Sequence, residues 1–149
     1  MRAIKKFEEF IEENIVKKQR VDKPRSEFLI KESEKDYSCL LDMKEKLKIE
    51  DKNANIFIKS CYDIIMELIR AKMILDGYNA SGFGAHEAEV SYMRILNFDE
   101  KDVQFADQIR FFRNGMLYYG TILDAVYAEK VVEFTKKIYP KLKRLVNFK

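Results

Sequence analysis

Residues Asn55 to Gly77 read N-I-F-I-K-S-C-Y-D-I-I-M-E-L-I-R-A-K-M-I-L-D-G, and this stretch decides what kind of fold the chain can make. With Ala54, the residues Ile58, Cys61, Ile65, Leu68 and Leu75 recur at the spacing of one helical face, and Phe57, Ile64, Ala71 and Ile74 widen it. A stripe this wide leaves little of the helix for solvent, so the helix belongs at the centre of a bundle. Gly77 follows Asp76 where a helix must stop. Glycine reaches the left-handed conformation of a helix end without steric cost, so it predicts that stop.

Upstream, Ile4, Phe7, Ile11 and Ile15 with Phe10 predict an amphipathic first helix over Ala3 to Lys17, its other side carrying Glu8, Glu9, Glu12 and Glu13. Gln19 to Arg25 is polar, and Pro24 disfavours helix at Lys23, so a connection is expected there. Ser26 then caps a second helix to about Lys48, with Leu29, Tyr37, Leu40, Leu41 and Leu47 facing inward. Downstream, Asn79 to Gly84 (N-A-S-G-F-G) is the richest turn segment and predicts a loop. A fourth helix starts at Ala85 with Ala88, Tyr92, Ile95 and Leu96 on one face, and Asp99 caps the next. A last helix from about Asp124 carries Val131, Phe134, Ile138 and Leu142, with Pro140 kinking it or ending its regular part. No strand-like alternation survives a count, so no β structure is expected.

The fold class expected is all-α: an antiparallel up-and-down bundle of four to six helices in one domain over residues 1–149. Within it, residues 1–50 form an N-terminal helical pair and residues 51–145 the core. The 149 residues are 47% hydrophobic and 13% aromatic, with five Gly and two Pro, which excludes a disordered chain. Charge nearly cancels, with 28 basic and 25 acidic residues for a net +3, so any contact with nucleic acid must be a local patch. No apolar run approaches the roughly eighteen residues of a membrane span, and Met1 to Glu13 carries glutamates where a signal peptide is apolar. A cytoplasmic protein is expected, with no membrane contact. Cys39 and Cys61 lie in predicted helices without metal or disulfide spacing and are expected as reduced, buried thiols. No metal and no cofactor is expected.

The local chemistry lies in Asp107 to Gly120, D-Q-I-R-F-F-R-N-G-M-L-Y-Y-G. Phe105, Ile109, Phe112 and Met116 follow one helical face, and Arg110 and Arg113 lie together on its flank. Two arginines where solvated Glu or Lys is usual point to an anionic ligand for Arg110, Arg113 and Asn114. The alternative for Arg113 and Asn114 is a buried ion pair and a polar contact that fix helix register. Tyr118 and Tyr119 suit an interface or core edge, with stacking on a base as the alternative. On an unbroken helix Tyr118 points away from Arg113, and Gly115 is the place where the helix can loosen. Gly82-Phe83-Gly84 can cradle phosphate ahead of a helix, though no strand precedes it and no Lys-Ser/Thr follows. The basic ending Lys141 to Lys149 reads as a solvated terminus, with RNA contact as its alternative.

From Asn55 to Leu142 this order of features resembles the HEPN superfamily of small helical-bundle proteins. The residues that carry the likeness are Gly77-Tyr78 ending the central helix, His86-Glu87-Ala88 opening the next, R-x-x-R-N at Arg110 to Asn114, Y-Y-G at Tyr118 to Gly120, and the final Y-P-K-L. The resemblance implies a homodimer. It also implies a metal-independent ribonuclease ancestry, in which an R-x(4-6)-H motif acts on the scissile phosphate. Arg113 and Asn114 match the start of that motif, but Tyr118 stands at the position of the histidine. A phenol titrates near pH 10 against about 6.5 for imidazole, so Tyr118 is a poor base for a 2′-hydroxyl. The lone histidine, His86, could replace it only if the segment after Gly77 folds over the motif; a structural role is the alternative.

The function expected is therefore an RNA- or nucleotide-binding protein, ribonuclease-related and catalytically degenerate, using Arg110, Arg113, Asn114, Tyr118 and Tyr119. Two alternatives stand beside it. One is an interaction subunit of toxin–antitoxin type that pairs with a minimal nucleotidyltransferase. The other is an active metal-independent endoribonuclease with Arg113 and either His86 or Tyr118 as catalytic residues.

Overall fold

The computed structural model describes residues 3–120 and 122–147, and of residue 118 the backbone alone. Helices dominate: α1 Phe7–Glu12, α2 Lys23–Lys46, α3 Ala54–Leu75, α4 Ala85–Ile95, α5 Glu100–Tyr119 and α6 Ala125–Val146. A 3-10 turn at Asp51–Asn53 leads into α3. Two short strands, β1 Val16–Lys18 and β2 Tyr78–Ala80, pair antiparallel with Val16 opposite Ala80 and Lys18 opposite Tyr78.

The wide apolar stripe does what its width demands. α3 packs against α2 and α6 most extensively and against α4 and α5 as well. Its Phe57, Ile58, Ile64, Leu68 and Ile69 are fully buried, and each such side chain contributes about 1.5–3 kcal/mol of transfer free energy. Gly77 stops the helix at φ +85°. Aromatic pairs join the outer helices: Tyr37 of α2 stacks on Tyr139 of α6 at 3.7 Å, and Phe105 of α5 meets Phe134 of α6 edge-on at 4.8 Å. Among the described residues no helix is long and apolar enough to cross a membrane.

Several expectations need correction. The first helix is only Phe7–Glu12, because Asn14 takes the left-handed conformation at φ +61° and turns the chain into β1. The chain does form β structure: the β1–β2 ladder is extended by Gln19 N–H to Gly77 O and Ser81 N–H to Ile15 O. Part of the expected loop at Asn79 is therefore strand. Asp22, not Ser26, caps α2 by accepting from Arg25 N–H, and Pro24 sits in the first turn, where its missing N–H has no helical partner to lose. Ser26 is instead buried and donates to Ala71 O at 3.0 Å, tying α2 to α3.

Leu41 and Leu47 of the expected inward face are exposed, and of the two free cysteines Cys61 is buried but Cys39 is exposed. Asp99 begins α5 through its backbone carbonyl and makes no side-chain cap. The helix does not loosen at Gly115: α5 continues to Tyr119 and closes with Gly120 N–H on Gly115 O. α6 likewise passes through Pro140, and Leu142 and Val146 are buried beyond it.

Candidate functional site

Near the later turns of α5, three helices enclose a cavity of about 330 Å³. α3 supplies Tyr62, Asp63, Glu67 and Arg70, α4 supplies His86 from its opening turn, and α5 supplies Arg113 and Asn114. The α3 residues fall at i, i+4 and i+7 or i+8 spacings, so they line one edge of that helix. His86 arrives because β2 pairs with β1 and the turn after it, closed by Ala85 N–H on Gly82 O, aims α4 back across α3.

One wall is a fixed ion network. Arg70 donates Nε to Glu89 Oε2 at 2.6 Å and an Nη to Oε1 at 3.0 Å, and His86 Nδ1 lies 2.8 Å from that same Oε1. Burial alone would push the Glu89 carboxyl up, but the hydrogen bonds from His86 and Arg70 overcome it and hold it below the usual carboxylate range. Facing a carboxylate, Nδ1 must carry a proton, so in the neutral ring Nε2 is the acceptor. The imidazole side chain is 57% exposed, so this acceptor is accessible from solvent.

The rest of the cavity sets apolar Met66 and Leu117 beside polar atoms that make no hydrogen bond. Tyr62 Oη, Glu67 Oε1 and Arg113 Nε are buried without a hydrogen-bond partner. An unpaired buried polar atom costs about 1–3 kcal/mol, so three such atoms around one space favour a polar occupant there, water or ligand. Burial pushes the Tyr62 phenol up, which keeps its proton. Burial and the neighbouring Asp36 push the Glu67 carboxyl up to about 8, so near neutral pH it too is largely a neutral donor. Asp63 is raised by burial while the Arg113 charge pulls it down.

Arg110 does not share this cavity. It donates Nε to Asp107 Oδ1 at 2.7 Å, with an Nη 4.0 Å from Glu87, and lines an adjoining cleft of about 760 Å³. His86 and Asn114 line both spaces. Gly82, Phe83 and Gly84 line the larger one. Tyr119 is exposed and lines neither; the Tyr118 side chain lies outside the described residues. The expected set is thus divided: Arg113, Asn114 and His86 converge, Arg110 stands next door in an ion pair, and Tyr119 stands apart.

Tyr62, Glu67, Arg70 and Glu89 were not expected. A signal for two of them exists in the sequence, since Glu67 and Arg70, like Asp63 beside them, are among the few charges that interrupt the most buried helix. Among the described residues no group of three or more His, Cys, Asp or Glu is placed to hold a metal ion. No protein-family model, no curated protein and no solved structure matches the chain.

Proposed function

We propose that this chain is an HEPN-like protein that binds the phosphate of RNA or of a nucleotide in the cavity between α3, α4 and α5. The observation that carries the reading is the buried, unsatisfied Nε of half-buried Arg113 in a cavity shared with Tyr62, Asn114 and His86. A phosphate offers oxygens to Arg113 and Tyr62 as charge-assisted or neutral acceptors. A ribose hydroxyl can meet Glu67, which near neutral pH donates and accepts. None of this needs a histidine at position 118, because an arginine neutralises a phosphate without proton transfer. The R-x-x-R-N and Y-Y-G residues support the same reading by family likeness.

One observation favours a second reading, metal-independent endoribonuclease activity: His86, oriented by Glu89, lines the same cavity as Arg113. Its Nε2 could take the 2′-hydroxyl proton while Arg113 stabilises the phosphate. The exposed Leu117, Tyr119, Ile122 and Val126 support a homodimer, or a nucleotidyltransferase partner on the same face.

Filter binding with a short single-stranded RNA in EDTA tests both readings. Wild type should retain RNA in low salt, and Arg113→Ala should weaken retention and make the salt slope shallower by roughly 0.7, the loss of one phosphate contact. Absence of binding by wild type removes the first reading. Turnover that disappears in His86→Ala and in Arg113→Ala would establish the second.

A further inference from the structure

The larger cleft has a different character from the Arg113 cavity. Gly82 and Gly84 take φ +79° and +89° and bracket Phe83, whose side chain is 100% exposed. The loop is pinned to β1 by Ser81 N–H on Ile15 O, and a Cβ on Gly84 would come within 3.2 Å of Ile15 Cδ1. The turn thus places residue 83 at its solvent-facing tip. On the same cleft, Phe111 of α5 is half exposed, resting edge-on against Phe112 at 5.8 Å. A single exposed apolar side chain is ordinary; two phenyl rings on one cleft of small-molecule size, one of them set there by two left-handed glycines, form an apolar binding surface.

Charge separates the two spaces. In the cleft the Arg110 guanidinium is answered by Asp107, itself 2% exposed, and Glu87 adds a second carboxylate, so a phosphate is not favoured there. In the neighbouring cavity Arg113 lies near Asp63 without a hydrogen bond to it and keeps an unsatisfied Nε. Asn114, whose amide both donates and accepts, and His86 stand on the boundary and line both.

We infer that the two spaces form one bipartite site for an unpaired nucleotide, with the base against Phe83 and Phe111 in the cleft and its phosphate at Arg113. The inference rests on the phosphate-binding reading above and adds the subsite that selects for a base. Every base has a π face for the phenyl rings, and its polar edge meets the Asn114 amide. A base in a duplex cannot enter, so the ligand is a free nucleotide or a nucleotide within single-stranded RNA.

Calorimetry on the full chain, with AMP and ribose 5-phosphate as probes, tests the division. Phe83→Ala should weaken AMP binding on the order of tenfold and leave ribose 5-phosphate unchanged, whereas Arg113→Ala should weaken both. Because Phe83 is fully exposed, its substitution leaves the fold intact, and Phe111→Ala provides a second, independent arm. AMP affinity unchanged in both phenylalanine variants but reduced in Arg113→Ala would overturn the base subsite and spare the phosphate site. Failure of both probes to bind wild type would overturn both. Given the expected pattern, tighter binding of a short oligoadenylate than of AMP identifies RNA as the source, and equal binding identifies the free nucleotide. Equal affinity for duplex and single-stranded RNA of the same length would overturn the inference.

Discussion

His86 Nδ1 sits 2.8 Å from Glu89 Oε1, one turn further along α4, and the same carboxylate grips Arg70 of α3 with both oxygens. A lone histidine at a helix start is thereby fixed in orientation by a side chain that is itself almost wholly buried. The pair joins helix packing to the geometry of the candidate site, because moving Glu89 moves both Arg70 and His86.

Glu89→Ala should therefore be costly. It strands the mostly buried Arg70 guanidinium without its partner, and breaking a buried ion pair from one side costs on the order of 3 kcal/mol. The double substitution Arg70→Met with Glu89→Leu removes both charges and should cost less than Glu89→Ala alone. Urea denaturation of the three variants measures this, and a single-variant loss below about 1 kcal/mol would show that the pair does not act as a buried one.

Glu67 sets a pH dependence of the opposite kind to an ordinary carboxylate. Its folded value of about 8 lies above the unfolded value of 4.5, so the folded state holds the proton more tightly. Its contribution is complete below about pH 4.5 and is lost as pH rises through about 8. Wild type should thus lose melting temperature between pH 5 and 8.5 relative to Glu67→Gln, which keeps the shape and cannot ionise. Asp36 and Asp63 stand near this group, so parallel melting curves for Asp36→Asn check that the effect belongs to the cluster. Superimposable curves for wild type and Glu67→Gln would contradict it.

Arg113→Met should separate stability from binding. The buried Nε has no hydrogen bond to lose, methionine fills much of the same volume, and only the charge attraction to Asp63 is given up, so the melting temperature should change little. RNA retention should fall. A large drop in melting temperature would instead favour the alternative in which Arg113 and Asn114 fix helix register.

The turns around β2 should respond unequally to added side chains. Gly77 and Gly82 both have positive φ, but a Cβ on Gly77 would lie 3.3 Å from Gln19 O, whereas Gly82 has open space. Gly82→Ala should cost about 1 kcal/mol from backbone strain alone, and Gly77→Ala more, because it also presses on the β1–β2 ladder. Thermal denaturation of the two variants gives the order directly.

The sequence by itself determined the helices that carry the core. Periodicity at 3.6 residues is a local property, so Ile58, Cys61, Ile65 and Leu68 announce the central helix, and Gly77 announces its end, without knowledge of any neighbour. It also offered Arg113 and Asn114 as candidates, through an arginine-rich flank on an otherwise apolar helix. What it could not contain is pairing across long separations. Val16 meets Ala80 in strands of three residues, too short for alternation to register, and their pairing is decided by where α1 and α3 happen to end. Asp22 prevailed over Ser26 as the cap because Ser26 lies where α2 touches α3, and its hydroxyl is taken by Ala71 O. His86 enters the Arg113 cavity only because that small sheet turns the chain, and Arg110 leaves it only because Asp107, one turn back on α5, and Glu87 of α4 lie within reach. Tertiary structure decided the candidate site because its members come from three helices whose mutual placement depends on packing and on a ladder of hydrogen bonds, neither of which is written in any one segment.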